Sequence, residues 1–259
     1  METKAAADFD SFCVIVPMYN EAVGAELCVQ QICKVLSAFP FRCELVVVED
    51  GSSDATASIL DRLSGEFTKL RVIKHAINSG YGAALRTGMN YAISSGFDYA
   101  LFMDSDLTND PADIPRFVEK MRAGYDVIKA TRYSDGGTVS GVPVYRVIIS
   151  RVGNWIAREL FRLPISDCTN GYRAVRTRLL KRMKLSENKF PIIMEELYYC
   201  AFLTDNFAQI PVRLTDRQLE QRPTSFEYRP RVFYGYLKYP LRAFRGVKPL
   251  GLDKEDKKR

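Results

Sequence analysis

A single histidine, His75, stands in 259 residues. With one histidine, neither a His-based triad nor a multi-His metal site is expected. Cysteines number six, at 13, 28, 33, 43, 168 and 200, and none forms a C-x-x-C pair. That spacing argues against structural zinc and against a disulfide framework. Most sit in apolar runs and read as buried free thiols, which suits a reducing compartment. No stretch approaches ~20 apolar residues, so no transmembrane helix is expected. The opening "METKAAADFDS" lacks a basic region followed by a hydrophobic one, so no signal peptide is expected. No repeat of 20–50 residues and no low-complexity tract is present.

Hydrophobic content is 47%, charged content 26% and the net charge +6. These values suit a globular enzyme of one large α/β domain or two small ones. Short β-branched runs recur: "FCVIVP" (12–17), "CELVVVED" (43–50), "LRVIKH" (70–75), "YALFMD" (99–104) and "DVIKAT" (126–131). Helical patterns separate them, at about 22–38, 54–64, 82–95 and 111–123. Apolar strands alternating with helices predict a mostly parallel sheet covered on both faces. Ser53 or Asp54 is placed to cap the second helix, and Pro111 suits a first helical turn.

The pattern changes after residue 135. A loop at 134–141 precedes a long helix, about 143–162. There Val144, Ile148, Val152, Ile156 and Leu160 recur at i+4 beside Trp155, predicting one apolar face. "DCTNGYRAVRT" (167–177) is turn-rich and leads to a short helix near 177–184. A helix at 194–204 and a strand at 207–214 follow. No flexible linker divides the chain. One domain with a C-terminal extension is the expectation.

Ligands of parallel sheets bind at the strands' carboxyl ends. Six acids collect there: Glu21, Glu49, Asp50, Asp54, Asp104 and Asp106. In "DSDLTND", Asp104 and Asp106 share one side if the extended backbone continues past the strand. Two carboxylates without His or Cys nearby fit Mg²⁺, which takes one or two carboxylates plus substrate phosphates, and not zinc. Taken alone, D-x-D is equally a strand ending in a turn.

The ordered set "VIVPMYNEA", "VVVEDGSSDAT", "NSGYGAALRTGM" and "DSDLTNDP" resembles the nucleotide-binding half of a family 2 glycosyltransferase. "KATRYSDGG", "RVIISRVGN", "DCTNGYRAVRT", "FPIIMEEL" and "IPVRLTDRQ" resemble its dolichyl-phosphate mannose synthase branch, which charges polyprenyl phosphates with sugars. The resemblance spans about residues 12–217. It implies a GT-A type, Rossmann-like fold over 10–217, with a nucleotide-binding half (about 10–131), an acceptor-side half (about 132–217) and an extension at 218–259.

Its functional positions carry over residue by residue. Pro17, Tyr19 and Glu21 match positions holding base and ribose, and Asp50 the acid at the nucleoside. Asp104 and Asp106 match the metal and diphosphate site, with Ser105 between them at the nucleotide. Thr108 falls where that branch usually has a glutamine near the metal. Arg132, Arg146, Ser150 and Arg217 match residues binding donor and acceptor phosphates. The branch's lysine shortly after Arg217 is absent, and Arg222 is the candidate replacement. What the resemblance implies is an inverting transferase using Mg²⁺ or Mn²⁺, a UDP- or GDP-linked sugar and a polyprenyl phosphate.

Two other readings remain. A hydroxyl acceptor would need a general base, for which Glu195 or Glu196 is the candidate, set against their reading as ordinary helix acids. A non-catalytic nucleotide-sugar-binding scaffold beside a separate membrane protein is the other. Nucleotidyl transfer would call for a Gly-rich basic loop after the first strand, where Glu21 and Glu26 stand instead. His75, at a strand end, reads as structural, and "GYGAALRTG" (80–88) as a backbone turn opening a helix.

Residues 226–248 hold six basic residues against Glu227, interleaved with seven aromatics. Such a stretch suits a membrane–water interface, plain packing on the domain, or nucleic acid. The membrane reading accords with the resemblance and places the protein peripherally at the cytoplasmic membrane face, with no nucleic-acid partner.

Overall fold

The apolar run that begins at Ser11 is buried along its whole length as strand β1 (Ser11–Met18). Its pleat sends alternate side chains to opposite faces. Phe12, Val14, Val16 and Met18 join one core cluster, and Cys13 and Ile15 the other. The computed structural model describes residues 9–139, 143–214 and 230–252. Arg217, Arg222 and the tail after 252 lie outside the described residues.

The chain continues through α1 (Ala25–Ser37), β2 (Arg42–Glu49), α2 (Thr56–Glu66), β3 (Leu70–Lys74), α3 (Tyr81–Ser94) and β4 (Tyr99–Phe102). A 3₁₀ turn at Pro111–Asp113 then leads into α4 (Ile114–Arg122), followed by β5 (Val127–Thr131). The chain then adds β6 (Thr138–Val139), α5 (Val144–Phe161), β7 (Arg173–Arg176), α6 (Thr177–Leu180), α7 (Ile192–Leu203), β8 (Phe207–Pro211), β9 (Arg213–Leu214) and α8 (Pro230–Phe244). The predicted α/β pattern is therefore observed. Its N-terminal limits moved where a turn precedes the helix, as at residues 22–24.

Seven strands form one sheet in the order β3-β2-β1-β4-β7-β5-β8. All neighbours are parallel except β7, which runs antiparallel to both β4 and β5. One core layer lies between the sheet and α1, α2 and α4, the other beneath α3, α5, α6 and α7. β1 pairs with β2 on one side and β4 on the other, so the chain order reverses there. The crevice above such a reversal is where open α/β sheets bind ligands.

Two expectations are corrected. "YRAVRT" holds strand β7 rather than turns alone; its arginines broke the apolar pattern, yet Arg173 is fully buried against Glu196. The run 207–214 breaks after Pro211, and β9 leaves the main sheet to pair with β6. The apolar face expected on α5 is present, and much of it is exposed rather than packed on the core. Val144, Ile148, Val152 and Trp155 are 73%, 56%, 50% and 62% exposed, whereas Asn154, Ala157 and Phe161 are buried.

Glycines at the start of α3 let another segment close over it. Gly80 has φ +94°, and a Cβ at Gly82 would stand 2.2 Å from the Glu187 carbonyl oxygen. The Gly82 amide donates to the Asn188 carbonyl at 2.9 Å. Gly82→Ala is therefore expected to push residues 187–188 away and destabilise the fold by about 1–3 kcal/mol. Thermal melting, paired with nucleotide titration, checks it.

Candidate active site

Four loops at the carboxyl ends of β1, β2, β3 and β4 enclose a cleft of about 380 Å³. It is lined by Pro17, Tyr19 and Glu21 after β1, Asp50 after β2, Asn78 and Tyr81 after β3, and Asp104, Ser105 and Asp106 after β4. The first two loops are tied together. The Asn20 carboxamide oxygen accepts from the Ser53 amide at 2.8 Å, and the Glu21 amide donates to Thr56 Oγ1 at 2.8 Å. Glu49 and Asp54 serve this loop rather than the cleft: the Ser52 amide donates to Glu49 at 2.6 Å, and Asp54 accepts from the Ala22 and Thr56 amides. Of six acids at the strand ends, four line the cleft.

Asp50 is held rigidly. It accepts from the Ser79 and Gly80 amides at 3.0 and 2.8 Å and bonds His75 Nδ1 at 2.6 Å. The other ring nitrogen, Nε2, bonds Thr87 Oγ1 at 2.8 Å. The lone histidine thus fixes an acid of the cleft.

Asp104 and Asp106 do meet in one cleft, but by a different route from strand alternation. β4 ends at Phe102, and the two acids lie in a turn that Leu107 closes with φ +55°. That region is unfavourable for a branched side chain, and such strain gathers at functional sites. Tyr81 donates to Asp104 at 3.0 Å, while the Thr108 amide and hydroxyl both donate to Asp106 Oδ1, at 3.1 and 2.8 Å. Thr108 thus reaches the pair through Asp106. Asp104, Asp106, Glu21 and Asp50 give the cleft oxygen donors and four acids, and no Lys or Arg is among the described residues that line it. That donor set fits a hard divalent cation, which would let an anionic diphosphate enter. Among the described residues no cluster of three or more His, Cys, Asp or Glu forms a closed protein cage.

A second cavity of about 600 Å³ is lined by Arg132, Arg146 and Ser150 among apolar groups, including Ile149 and Ile156 of α5 and Leu237 of α8. Arg132 pairs bidentately with Asp167 at 2.7 and 2.9 Å. Burial alone would raise the Asp167 carboxyl; the Arg132 guanidinium outweighs it and holds Asp167 below the usual carboxylate range. Ser150 Oγ bonds the Tyr133 hydroxyl at 2.7 Å. Beneath, the Lys129 ammonium donates to the Asn170 and Cys168 carbonyls, and burial lowers its pKa to about 8.

Glu195 and Glu196 line neither cavity. Glu195 accepts from the Ser186 and Glu187 amides, and Glu196 pairs with Arg173 at 2.6 Å. Of their two readings the ordinary one fits: both carboxylates are committed to the fold, and neither is placed as the general base a hydroxyl acceptor would need. Asn78, Tyr81, Phe190 and the α8 residues Phe233, Tyr236 and Leu237 escaped the sequence reading. Only "NSGY", at a strand's carboxyl end, carried a local signal.

The sequence profile of Glycosyl transferase family 2 matches residues 13–184. The chain belongs to that family. It is 31% identical over 211 residues to polyprenol monophosphomannose synthase of Mycolicibacterium smegmatis, covering 80% of this chain and 78% of that protein. It is 28% identical to undecaprenyl-phosphate mannosyltransferase of Micrococcus luteus, covering 82% and 86%. Identity to dolichol-phosphate mannosyltransferase of Pyrococcus furiosus is 33% over 71% of this chain, which spans about half (51%) of that protein. The fold is shared with glucosyl-3-phosphoglycerate synthase from Mycobacterium tuberculosis, solved with Mn²⁺, UDP and glucosyl-3-phosphoglycerate. The TM-score is 0.60 at 19% identity, covering 97% of this chain and 85% of that one. TarS from S. aureus, solved with UDP-GlcNAc, superposes with a TM-score of 0.57 at 20% identity, over 89% of this chain and 65% of that one. A family 2 glycosyltransferase with a mostly parallel GT-A sheet is thus established.

Proposed function

We propose that this glycosyltransferase moves a sugar, with inversion, from a nucleotide-diphospho-sugar to a polyprenyl phosphate. One observation carries the reading: an acidic cleft stands at the sheet's reversal point, and an apolar cavity elsewhere gathers Arg132, Arg146 and Ser150. The first suits a metal-bound diphosphate and the second an anionic head on a hydrocarbon chain. The relatives' names, mannosyltransferases of polyprenyl phosphates, support the same acceptor.

In this reading Pro17, Tyr19, Glu21 and Asp50 hold the nucleoside, with His75 keeping Asp50 in place. Asp104 and Asp106 hold Mg²⁺ or Mn²⁺, Thr108 orients Asp106, and Ser105 contacts the nucleotide. Once bound, the ion offsets charge on the departing diphosphate as a Lewis acid. Arg132 and Arg146 offer charge-assisted hydrogen bonds to phosphate oxygens, and Arg217 joins them from outside the described residues. A phosphate nucleophile is already anionic at pH 7, so it needs no strong base. That accords with the commitment of Glu195 and Glu196 to other contacts, and it disfavours a hydroxyl acceptor.

The outward apolar face of α5 gives the surface a role. Exposed apolar side chains grouped on one helix mark an interaction surface. No described helix is long and apolar enough to cross a membrane. We place the protein peripherally on the cytoplasmic leaflet, with α5 against the acyl boundary and Arg242 of α8 toward anionic headgroups.

The test is a donor panel of UDP- and GDP-sugars with Mg²⁺ or Mn²⁺, each with and without undecaprenyl or dolichyl phosphate. Glycosylated lipid phosphate is the expected product; transfer to a hydroxyl instead would refute the reading. Arg146→Ala is expected to lower kcat/KM for the lipid phosphate about 100-fold, near 2.7 kcal/mol, and to leave nucleotide affinity unchanged.

A further inference from the structure

α8 packs against α5 and α7 and is fastened at several points. Tyr239 is buried, and its hydroxyl donates to Glu187 at 2.8 Å; the Lys238 ammonium pairs with the same carboxylate. After the helix, the Val247 and Leu250 carbonyls accept from Tyr198 and Tyr199 at 2.6 and 3.0 Å. Glu187 is no neutral anchor. Its carbonyl accepts from Arg86, and the carbonyl of the next residue accepts from the Gly82 amide. Two residues further, Phe190 lines the acidic cleft and packs on Tyr81 at 4.6 Å between ring centroids. Tyr81 in turn donates to Asp104. The helix is therefore joined to the donor cleft through residues 187–190.

The same helix walls the apolar cavity. Phe233, Tyr236 and Leu237 face it together with Arg132, Arg146 and Ser150. Spacing of three and four residues puts these side chains on one helix face. Tyr236 is the only hydroxyl α8 contributes there.

We infer that α8 completes the acceptor site and that the Tyr236 hydroxyl donates a hydrogen bond to the acceptor's phosphate, beside Arg132 and Arg146. This rests on the polyprenyl-phosphate reading above. Burial, then the Asp104 charge, raise the phenol's pKa well above its ordinary value, against a smaller opposite effect of Arg132. The group therefore keeps its proton at neutral pH and serves as a donor to an anion. No bond is made or broken at Tyr236; it binds and orients the nucleophile.

Tyr236→Phe in the full chain removes one hydroxyl and keeps the ring. Farnesyl phosphate is the binding probe, and UDP and GDP with Mn²⁺ are the donor-side probes, all by calorimetry; KM and kcat are measured with undecaprenyl phosphate. The expected result is about a tenfold loss of farnesyl phosphate affinity and a matching rise in acceptor KM. Nucleotide affinity and melting temperature stay unchanged. Tyr234→Phe, at an exposed position of the same helix, stays as wild type. Wild-type affinity for farnesyl phosphate in Tyr236→Phe would overturn the inference, as would an equal loss of nucleotide affinity. Absence of sugar transfer by the wild-type protein to any lipid phosphate would overturn the proposed function instead, while the farnesyl phosphate comparison still decides the tyrosine.

Discussion

Asp106→Asn is expected to abolish sugar transfer, by about 10³-fold or more, and to erase the Mn²⁺ dependence of nucleotide binding. The substitution keeps the size of the side chain, and its carbonyl oxygen still accepts from the Thr108 amide and hydroxyl. What it removes is charge. Glu21, Asp50, Asp104 and Asp106 line the cleft, and among the described residues no Lys or Arg joins them there. Two unit charges 4 Å apart interact by about 4 kcal/mol at an effective dielectric near 20. A diphosphate facing that wall is repelled unless a cation stands between. Losing one preorganised partner of developing charge typically costs 10²–10³ in rate, and weaker donor binding adds to it. Titrating UDP and GDP with Mn²⁺ and then with EDTA separates the causes. Wild type and variant should coincide in EDTA and differ at least about 100-fold in Mn²⁺. Coincidence in both conditions would remove the ion from Asp106.

The donor cleft was the legible part of this chain. Apolar strands alternate with helices from 12 to 131, and the loops after β1 to β4 line the crevice, so topology alone groups residues distant in sequence. The Asp104–Asp106 pair was found on an argument from strand alternation that the turn at 105–106 replaces. Legibility faded where burial obeys tertiary rather than local rules. Arg173 looked like turn chemistry because a charged residue in a sheet centre makes sense only beside Glu196, 23 residues later. The i+4 stripe of α5 gives the helix and its apolar face, but periodicity does not say what covers that face. The apolar cavity takes its walls from α5 and α8, some 90 residues apart, and no local pattern links Ser150 with Tyr236.

Glu196→Ala should be the most destabilising single change at a residue that touches neither cavity. Glu196 and Arg173 both have fully buried side chains, joined by two hydrogen bonds of 2.6 and 2.8 Å. Burial by itself would lower the arginine's pKa, and Glu196 overrides that, so the guanidinium stays charged in the core. Removing the carboxylate leaves a cation with the Gly171 carbonyl at 2.8 Å and the Phe102 ring at 4.3 Å. Losing one member of such a pair costs about 3–5 kcal/mol. At about 2–4 °C per kcal/mol for a chain of this size, melting should fall by about 6–20 °C. Replacing both partners with apolar residues, Arg173→Met with Glu196→Leu, should recover most of the stability, because the pair's desolvation cost goes with it. The double variant then separates stability from function. Gly171 stands so close to Asp104 that a Cβ there would lie 2.9 Å from Oδ2, and the Arg173 guanidinium donates to the carbonyl of that glycine. A stable double variant with weakened Mn²⁺-dependent nucleotide binding would assign the buried pair to positioning Asp104. Unchanged binding would confine the pair to holding the sheet.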